Sequence, residues 1–368
     1  GDAEANRLYY KILRPLKKII GLTKARGDRD LRAYDEIIST HAIDTPRDVE
    51  LFKDYVNEVL SLSINRLKTY DFDDQVYMPY IHDIDLPRFP IGVVDETQDL
   101  NPLQIKFMQR ICDRIVGVGD RHQAIYGFRG ADPYAMDLFK EVFNATSLPL
   151  SVCYRCAKNI VREAQKTVPH IEFADWAEEG VVDEVKTVNA TENDFILCRT
   201  TAPLVQSCLR FLRDGIKAVV LGKDVGDDLV AFTQVVRNRF STIDIFKRDL
   251  DIYNHAKTKR LTELNKTYEL AAHNDKVETI EAMLEDTKLI LVDDLIKKIE
   301  GIFSDESQGI PHSTIHKSKG LEADRVFVLR PELSPHPAAK LEWQILQESN
   351  LKYVRDTRAR KELYFVVP

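Results

Sequence analysis

Cysteine is scarce in this chain: five residues in 368, odd in number and scattered. That excludes a disulfide framework and makes a reducing cytoplasm the expected setting. Cys153 and Cys156 form one CxxC with no second pair to complete a zinc site, so they read as ordinary buried thiols. Long apolar runs are missing too. Nothing approaches the ~18 residues that span a bilayer, and no signal-peptide pattern opens the chain. Positive charge is not in excess: 52 Lys and Arg stand against 59 Asp and Glu, a net charge of −7. This excludes a uniformly basic nucleic-acid coat while leaving room for a basic cleft. Between residues 227 and 300 glycine and proline vanish altogether. What remains, 44% hydrophobic and 30% charged, is ordinary globular composition, and the length allows two or three domains with ample core.

The most informative stretch runs from Ile91 to Ala131. An apolar run, Ile91 to Val94, stops at Asp95-Glu96; a second, Arg114 to Val118, stops at Gly119-Asp120. These read as two buried parallel-type strands, each delivering acidic groups at its carboxyl end, where open α/β sheets hold ligands. With a nucleotide there, one carboxylate would hold Mg²⁺ and the other would align or deprotonate water. Gln123 carries both a donor and an acceptor, suited to sensing a phosphate and a water together. Tyr126, Phe128 and Arg129 follow, a set that can stack on unpaired bases and pair with phosphate.

Elsewhere the periodicity is coarse but readable. Residues 1–68 carry apolar residues at helical spacing and read as a helical subdomain packing its own core. The acidic tetrad Asp71-Phe72-Asp73-Asp74 is either a solvated cap or an adjunct to the motif that follows. Short apolar runs at Leu148–Arg155, Phe195–Arg199 and Ala218–Gly222, separated by helical segments, predict a second parallel sheet. The charged, glycine-free span 227–300 reads as a solvated helical arm inserted in that domain. After it, Ser313, Thr314, His316, Lys317 and Lys319 place cationic groups beside hydroxyls, which suits a sugar-phosphate backbone.

Five segments together resemble the UvrD/Rep-like superfamily 1 DNA helicases. Asp95-Glu96-Thr97-Gln98-Asp99 is similar to the DExQD box, and GDRHQAIYGFRGA (119–131) to motif III. Cys153-Tyr154-Arg155-Cys156 resembles motif IV, TIHKSKGLEADRVFVL (314–329) motif V, and ESNLKYVRDTRARKELYFV (348–366) motif VI. The order is also that of the family. The resemblance implies an α/β fold of two RecA-like parallel-sheet domains, the first incomplete here, with helical insertions. The expected divisions are 1–68 (helical subdomain), 69–147 (first RecA-like domain), 148–226 and 301–368 (second RecA-like domain), and 227–300 (helical insertion).

It further implies ATP and Mg²⁺ as cofactors, with Asp95 on the metal, Gln98 and Glu322 on the nucleotide, and Glu96, Gln123, Arg155 and Arg358 as catalytic groups. Arg358 takes the arginine-finger role across a cleft. Tyr126, Phe128, Arg129, Thr314, His316 and Lys319 take the DNA. The implied activity is ATP-driven closure of the two domains with movement along single-stranded DNA, 3′ to 5′. The implied partners are single-stranded DNA or a single/double-strand junction together with replication or repair proteins, and no membrane. The implied setting is the cytoplasm of a bacterial or phage-infected cell, at the nucleoid. Arg355 and Asp356 depart from the small or apolar residues of the family's motif VI.

One part of the pattern has no match in these residues. A phosphate-cradling loop ends in GK[ST]; Gly222-Lys223-Asp224 lacks the hydroxyl, and Ser318-Lys319-Gly320 runs in the wrong order. The expectation is a helicase core met without its phosphate loop, truncated, split or taken from a longer chain, that by itself hydrolyses ATP barely or not at all. The alternative is a non-catalytic helicase-derived fragment that binds single-stranded DNA or a partner. A metal-dependent nuclease ranks lower, because Gln123, Arg155 and Arg358 would have no work in it.

Overall fold

The computed structural model describes residues 12–41, 43, 45–46, 48–65, 69–127, 134–237, 242–286, 288–305 and 309–368. They fall into two compact units, Gly1–Pro149 and Leu150–Pro368. Among the described residues no helix is long and apolar enough to cross a membrane.

The first unit opens with helices α1 (Arg14–Arg26), α2 (Tyr34–His41) and α3 (Val49–Asn65), which enclose Leu16, Ile19, Tyr34, Phe52 and Val56 in a core of their own. Helix α1 stops at Gly27, whose φ of 76° is the left-handed conformation that glycine adopts without strain. Helix α4 (Asp74–Ile81) is where the acidic tetrad acts. Lys24 of α1 is 1% exposed, with its Nζ 2.7 Å from Asp71 and 2.8 Å from Asp74. Asp71 and Asp74 also exchange backbone bonds, each carboxylate accepting from the other's N–H at 3.0 Å. The tetrad is therefore a structural clamp on a buried ammonium.

Strand β1 (Gly92–Val94), helix α5 (Pro102–Ile111), strand β2 (Ile115–Gly117) and helix α6 (Ala135–Phe143) complete the unit. The strands pair in parallel, Gly92 opposite Ile115 and Val94 opposite Gly117. Helix α5 starts at a reciprocal capping box between Asn101 and Gln104. Val93 is 73% exposed and Val116 47%, so among the described residues of this unit one face of the sheet carries no covering helix, where most parallel sheets of α/β proteins are covered on both faces.

The second unit begins with β3 (Val152–Cys153), α7 (Lys158–Gln165) and β4 (Glu172–Phe173). Strand β3 pairs only with β4 among the described strands, as a separate two-stranded sheet. The expectation that Leu148–Arg155 joins the main sheet is corrected: the apolar run yields two paired residues beside it. The main sheet uses β5 (Val181–Val185), β6 (Phe195–Cys198), β7 (Ala218–Leu221), β8 (Phe303–Ser304), β9 (Ile310–Thr314), β10 (Ala323–Leu329) and β11 (Ala359–Val366). Their order is β5-β11-β10-β6-β9-β7-β8, and every pairing is parallel.

Alternation along β6 shows how both faces are covered. Phe195 and Leu197 point to a core shared with Ile160 and Ala164 of α7 and Tyr353 of α13 (Glu342–Asp356). Ile196 and Cys198 point the other way. There they meet α8 (Ala202–Arg213), α9 (Lys223–Val236), α10 (Ile243–Glu263), α11 (Thr267–Leu284) and α12 (Val292–Ile302). The span 227–300 is thus no solvated arm. Phe246 and Leu250 of α10 and Val277, Ile280 and Met283 of α11 are buried in the core with Leu204 and Cys208. A sparse apolar stripe among many charges was enough to fold the helices onto the sheet.

The motif VI departures also have a local explanation. Arg355 and Asp356 are 3% and 0% exposed and pair with each other at 2.7 Å, while Arg355 lies 5.0 Å over the Phe365 ring. Neighbouring residues supply both members of a buried ion pair.

Candidate functional site

Beyond Val94 the chain turns sharply. Asp95 accepts a 2.8 Å bond from the Glu96 N–H, and Glu96 sits at φ 52°, in the left-handed region that a residue with a Cβ adopts at a cost of about 1–3 kcal/mol. Thr97, 1% exposed, holds the turn down: its N–H and hydroxyl both donate to the Val118 carbonyl, at 3.0 and 2.9 Å. The strained turn leaves the Asp95 and Glu96 carboxylates exposed.

Gln98 links this turn to the next one. It is 2% exposed; its Nε2 donates to Glu96 Oε2, and its Oε1 accepts from the Asp120 N–H at 2.9 Å. Asp120 in turn caps a short turn by accepting from the His122 N–H at 2.9 Å, and accepts from Gln123 Nε2 at 3.1 Å. The result is a continuous chain, Glu96–Gln98–Asp120–Gln123, joining two strand ends. Gly119 makes room for it, since a Cβ there would lie 2.4 Å from Gln98 Oε1. Gln98 therefore orients Glu96 in this structure, with both ends of its amide already in use.

In the second unit, Arg155 pairs with Glu322 at 2.6 Å, and Arg360 approaches the same carboxylate at 3.5 Å. Arg358 lies close by, but not as a projecting finger. It is 1% exposed, and its guanidinium donates to Val354 O at 2.9 Å, Leu321 O at 3.1 Å and Thr357 Oγ1 at 3.2 Å. Burial, and next the Arg155 charge, lower its pKa. The expected presentation into a cleft is corrected: the charged head is spent on neutral oxygens at the amino end of β11.

Of the DNA candidates, Thr314 lies at the opposite, carboxyl edge of this sheet. Thr314 ends β9, and its Oγ1 accepts from the Lys317 N–H at 3.4 Å. Lys317 itself pairs with Asp224 at 2.7 Å, and Lys319 is half-buried. Burial, with the nearby Arg199 charge, lowers the His316 pKa to about 3, so its ring is neutral and approaches Gln347 Nε2 at 3.5 Å. A contribution of this ring to DNA affinity is expected to show no titration across neutral pH, where an ordinary histidine would. Binding measured across that range in wild type and His316→Asn checks it. In the first unit Tyr126 is half-buried, and Phe128 and Arg129 lie outside the described residues.

Three groups escaped the sequence reading. Asp120 was visible only as a strand end. Arg199 follows β6 next to Thr314 and is held by Glu348, with Tyr268 also bonded to it at 2.8 Å. It stands on a cleft of about 450 Å³ where Asp275 accepts from the Thr201 and Ala202 N–H groups at the start of α8. Tyr154, 68% exposed, stacks on Trp176, 74% exposed, with centroids 6.5 Å apart. Two bare aromatic rings beside Arg155 form a flat apolar face; a contact between residues 22 apart leaves no local signal.

Parallel sheets covered by helices, as in the second unit, are consistent with RecA-like domains. Comparison with known proteins sharpens the class. Residues 81–144 match the UvrD/REP helicase N-terminal domain, and residues 223–367 match the UvrD-like helicase C-terminal domain. The chain belongs to the UvrD/Rep-like superfamily 1 helicases. It is 35% identical over 111 residues to a putative ATP-dependent DNA helicase, YjcD, of Bacillus subtilis, covering 27% of this chain and 15% of that protein. It is 25% identical over 339 residues to F-box DNA helicase protein 1 of Schizosaccharomyces pombe, covering 84% of this chain and 38% of that protein. With the ATP-dependent DNA helicase PcrA of Bacillus subtilis it shares 27% over 147 residues, 37% of this chain and 18% of the relative. The chain thus spans well under half the length of these relatives.

Proposed function

We propose that this chain carries the core of an ATP-dependent DNA helicase or translocase that moves 3′ to 5′ on single-stranded DNA by ATP-driven closure of two RecA-like domains, in the cytoplasm. The observation that supports it most directly is the Glu96–Gln98–Asp120–Gln123 chain. It ties a carboxylate suited to aligning water to an amide suited to sensing phosphate, on a backbone strained into place.

Mg²⁺ is commonly held by one or two carboxylates together with phosphate oxygens and water, and the exposed Asp95 carboxylate fits that role. When bound, the ion would neutralise charge on the phosphates. Gln123 reports the phosphate state to Glu96 through Asp120 and Gln98. Glu322 is suited to the sugar hydroxyls and Arg155 to the phosphates. The two are paired at 2.6 Å, so nucleotide binding exchanges that contact for contacts with the ligand. Arg358 would have to leave its carbonyl acceptors to act, which makes its engagement conditional on rearrangement at the start of β11. Tyr154 offers a ring for the base. Tyr126, Phe128 and Arg129, with Thr314, His316 and Lys319, serve the DNA.

The DNA part is testable on the chain itself. Phe128→Ala is expected to weaken single-strand binding by about 1–3 kcal/mol in a titration of labelled oligonucleotide, and affinity is expected to fall as salt rises. Unchanged affinity in a folded variant retires the stacking assignment. By itself the isolated chain is expected to turn over ATP barely or not at all; robust turnover abolished by Glu96→Gln would overturn that.

A further inference from the structure

Two loops leave the carboxyl ends of the paired strands β6 and β9, and both lean on one short stretch of α13. Glu348 is 1% exposed; each of its oxygens lies 3.0 Å from Arg199 Nε, and Oε1 also accepts from Nη2 at 2.5 Å. Its Oε2 further accepts from the His336 N–H at 2.8 Å. The neighbouring Gln347, also buried, meets the His316 ring. The other end of the helix holds Arg358, whose Nε donates to Val354 O at 2.9 Å and whose Nη2 donates to Thr357 Oγ1 at 3.2 Å. Glu348 and Val354 lie about 9 Å apart along the helix axis. One helix therefore carries both the carboxylate that fixes a carboxyl-edge loop and the carbonyl that fixes Arg358. Leu351 and Val354 are fully buried, so this segment moves as a packed unit and not by bending.

We propose that Glu348 is a positioning residue: through Arg199 and α13 it turns occupation of this edge by single-stranded DNA into release of Arg358 from its carbonyl acceptors. The inference rests on the helicase reading, since it takes the strand to bind beside Thr314. Arg199 has a donor to offer. It lines the cleft at this edge, and among the described residues its Nη1 carries no hydrogen bond. A DNA phosphate that draws the guanidinium outward draws Glu348 with it, because a buried carboxylate left without its partner is costly. The last turn of α13 then shifts, and Val354 O and Thr357 Oγ1 move away from Arg358. The bonded and the released arginine are the two arrangements that such coupling requires. By linkage, whatever holds Arg358 in its released position tightens DNA binding in turn.

Hydrogen exchange of the native chain, free and saturated with a single-stranded oligonucleotide, tests this without any nucleotide. The Thr357 and Arg358 amides, bonded to Tyr353 O at 3.1 Å and Arg355 O at 3.3 Å, report the last turn. Peptides covering residues 353–360 are expected to exchange about fivefold faster or more once DNA is bound. Glu348→Gln is expected to bind the oligonucleotide and show no such acceleration. Arg199→Lys, which keeps the charge but not the two-point grip, is expected to show a reduced one. A merely structural Glu348 would instead raise exchange equally in the free and bound forms. Wild type that binds DNA with residues 353–360 unchanged overturns the proposal and leaves the helicase reading standing. So does a full acceleration in Glu348→Gln or, should that variant not fold, in Arg199→Lys. Wild type that binds no oligonucleotide in titration overturns both.

Discussion

Replacing Lys24 by alanine is expected to destabilise the first unit by about 3–5 kcal/mol, the usual cost of removing one partner of a buried ion pair. The reason is what stays behind. Asp74 is 4% exposed, and Lys24 is the cation 2.8 Å from its Oδ1. Denaturant unfolding of the chain measures the loss, and Lys24→Met combined with Asp74→Asn is expected to recover most of it, because no uncompensated charge is left buried. A loss under about 1 kcal/mol for Lys24→Ala would show that water reaches the site.

The pH dependence follows from the same clamp. Burial alone would lower the Lys24 ammonium, but its bonds to Asp71 and Asp74 more than offset that and its pKa rises above 10.5. Burial pushes Asp71 up, while Lys24 pulls it further down, to below 3.8. A carboxylate depressed in the folded state stabilises at pH above its ordinary value and loses that contribution as pH falls through the depressed one. A raised ammonium contributes below its ordinary value and is lost only as pH climbs past the raised one. The clamp is therefore expected to hold across neutral pH and to weaken in acid first.

The second large effect concerns Glu96. In a polypeptide that also carries a phosphate-binding loop, Glu96→Gln is expected to lower ATP hydrolysis by about 10²–10⁴-fold, with nucleotide binding retained. Gln98→Leu is expected to act in the same direction but less, because the carboxylate stays and only its orientation is lost. Gly119→Ala is expected to follow Gln98→Leu, since the added Cβ meets the Gln98 amide oxygen. Steady-state hydrolysis of the three variants, with nucleotide affinity measured separately, orders them. Wild-type rates in Gln98→Leu would mean that the hydrogen-bonded chain holds structure and nothing more.

Some of this was legible in the sequence because it is carried by runs and neighbours. The strand ends at Val94 and Val118, the buried run Phe195–Cys198 and the acidic pair at Asp95-Glu96 all announce themselves locally. What escaped depends on distant partners. Nothing around Arg358 says that its guanidinium reaches the Leu321 carbonyl, 37 residues earlier, and nothing around Asp71 names Lys24, 47 residues earlier. The helices of 227–300 were misjudged for a related reason. Their charge density hides a thin stripe, Phe246, Leu250, Val277 and Ile280, whose burial depends on the face offered by α8. Short strands such as β8 and β5 were missed because two to five residues give too little alternation to read.

The connection between β9 and β10 carries a last consequence. Parallel strands are usually joined through a dozen residues or more. Here residues 315–322 alone pass behind β6, from Thr314 at one edge of the sheet to Ala323 at the other. Ile315 and Ser318 are buried along the way, and the Ser318 hydroxyl is tied to the Ile315 carbonyl at 2.8 Å. Such a link has little slack to spare. Deleting one residue from it could not be absorbed in a loop and would drag the β10 register along, so this eight-residue stretch should tolerate changes of side chain far better than changes of length.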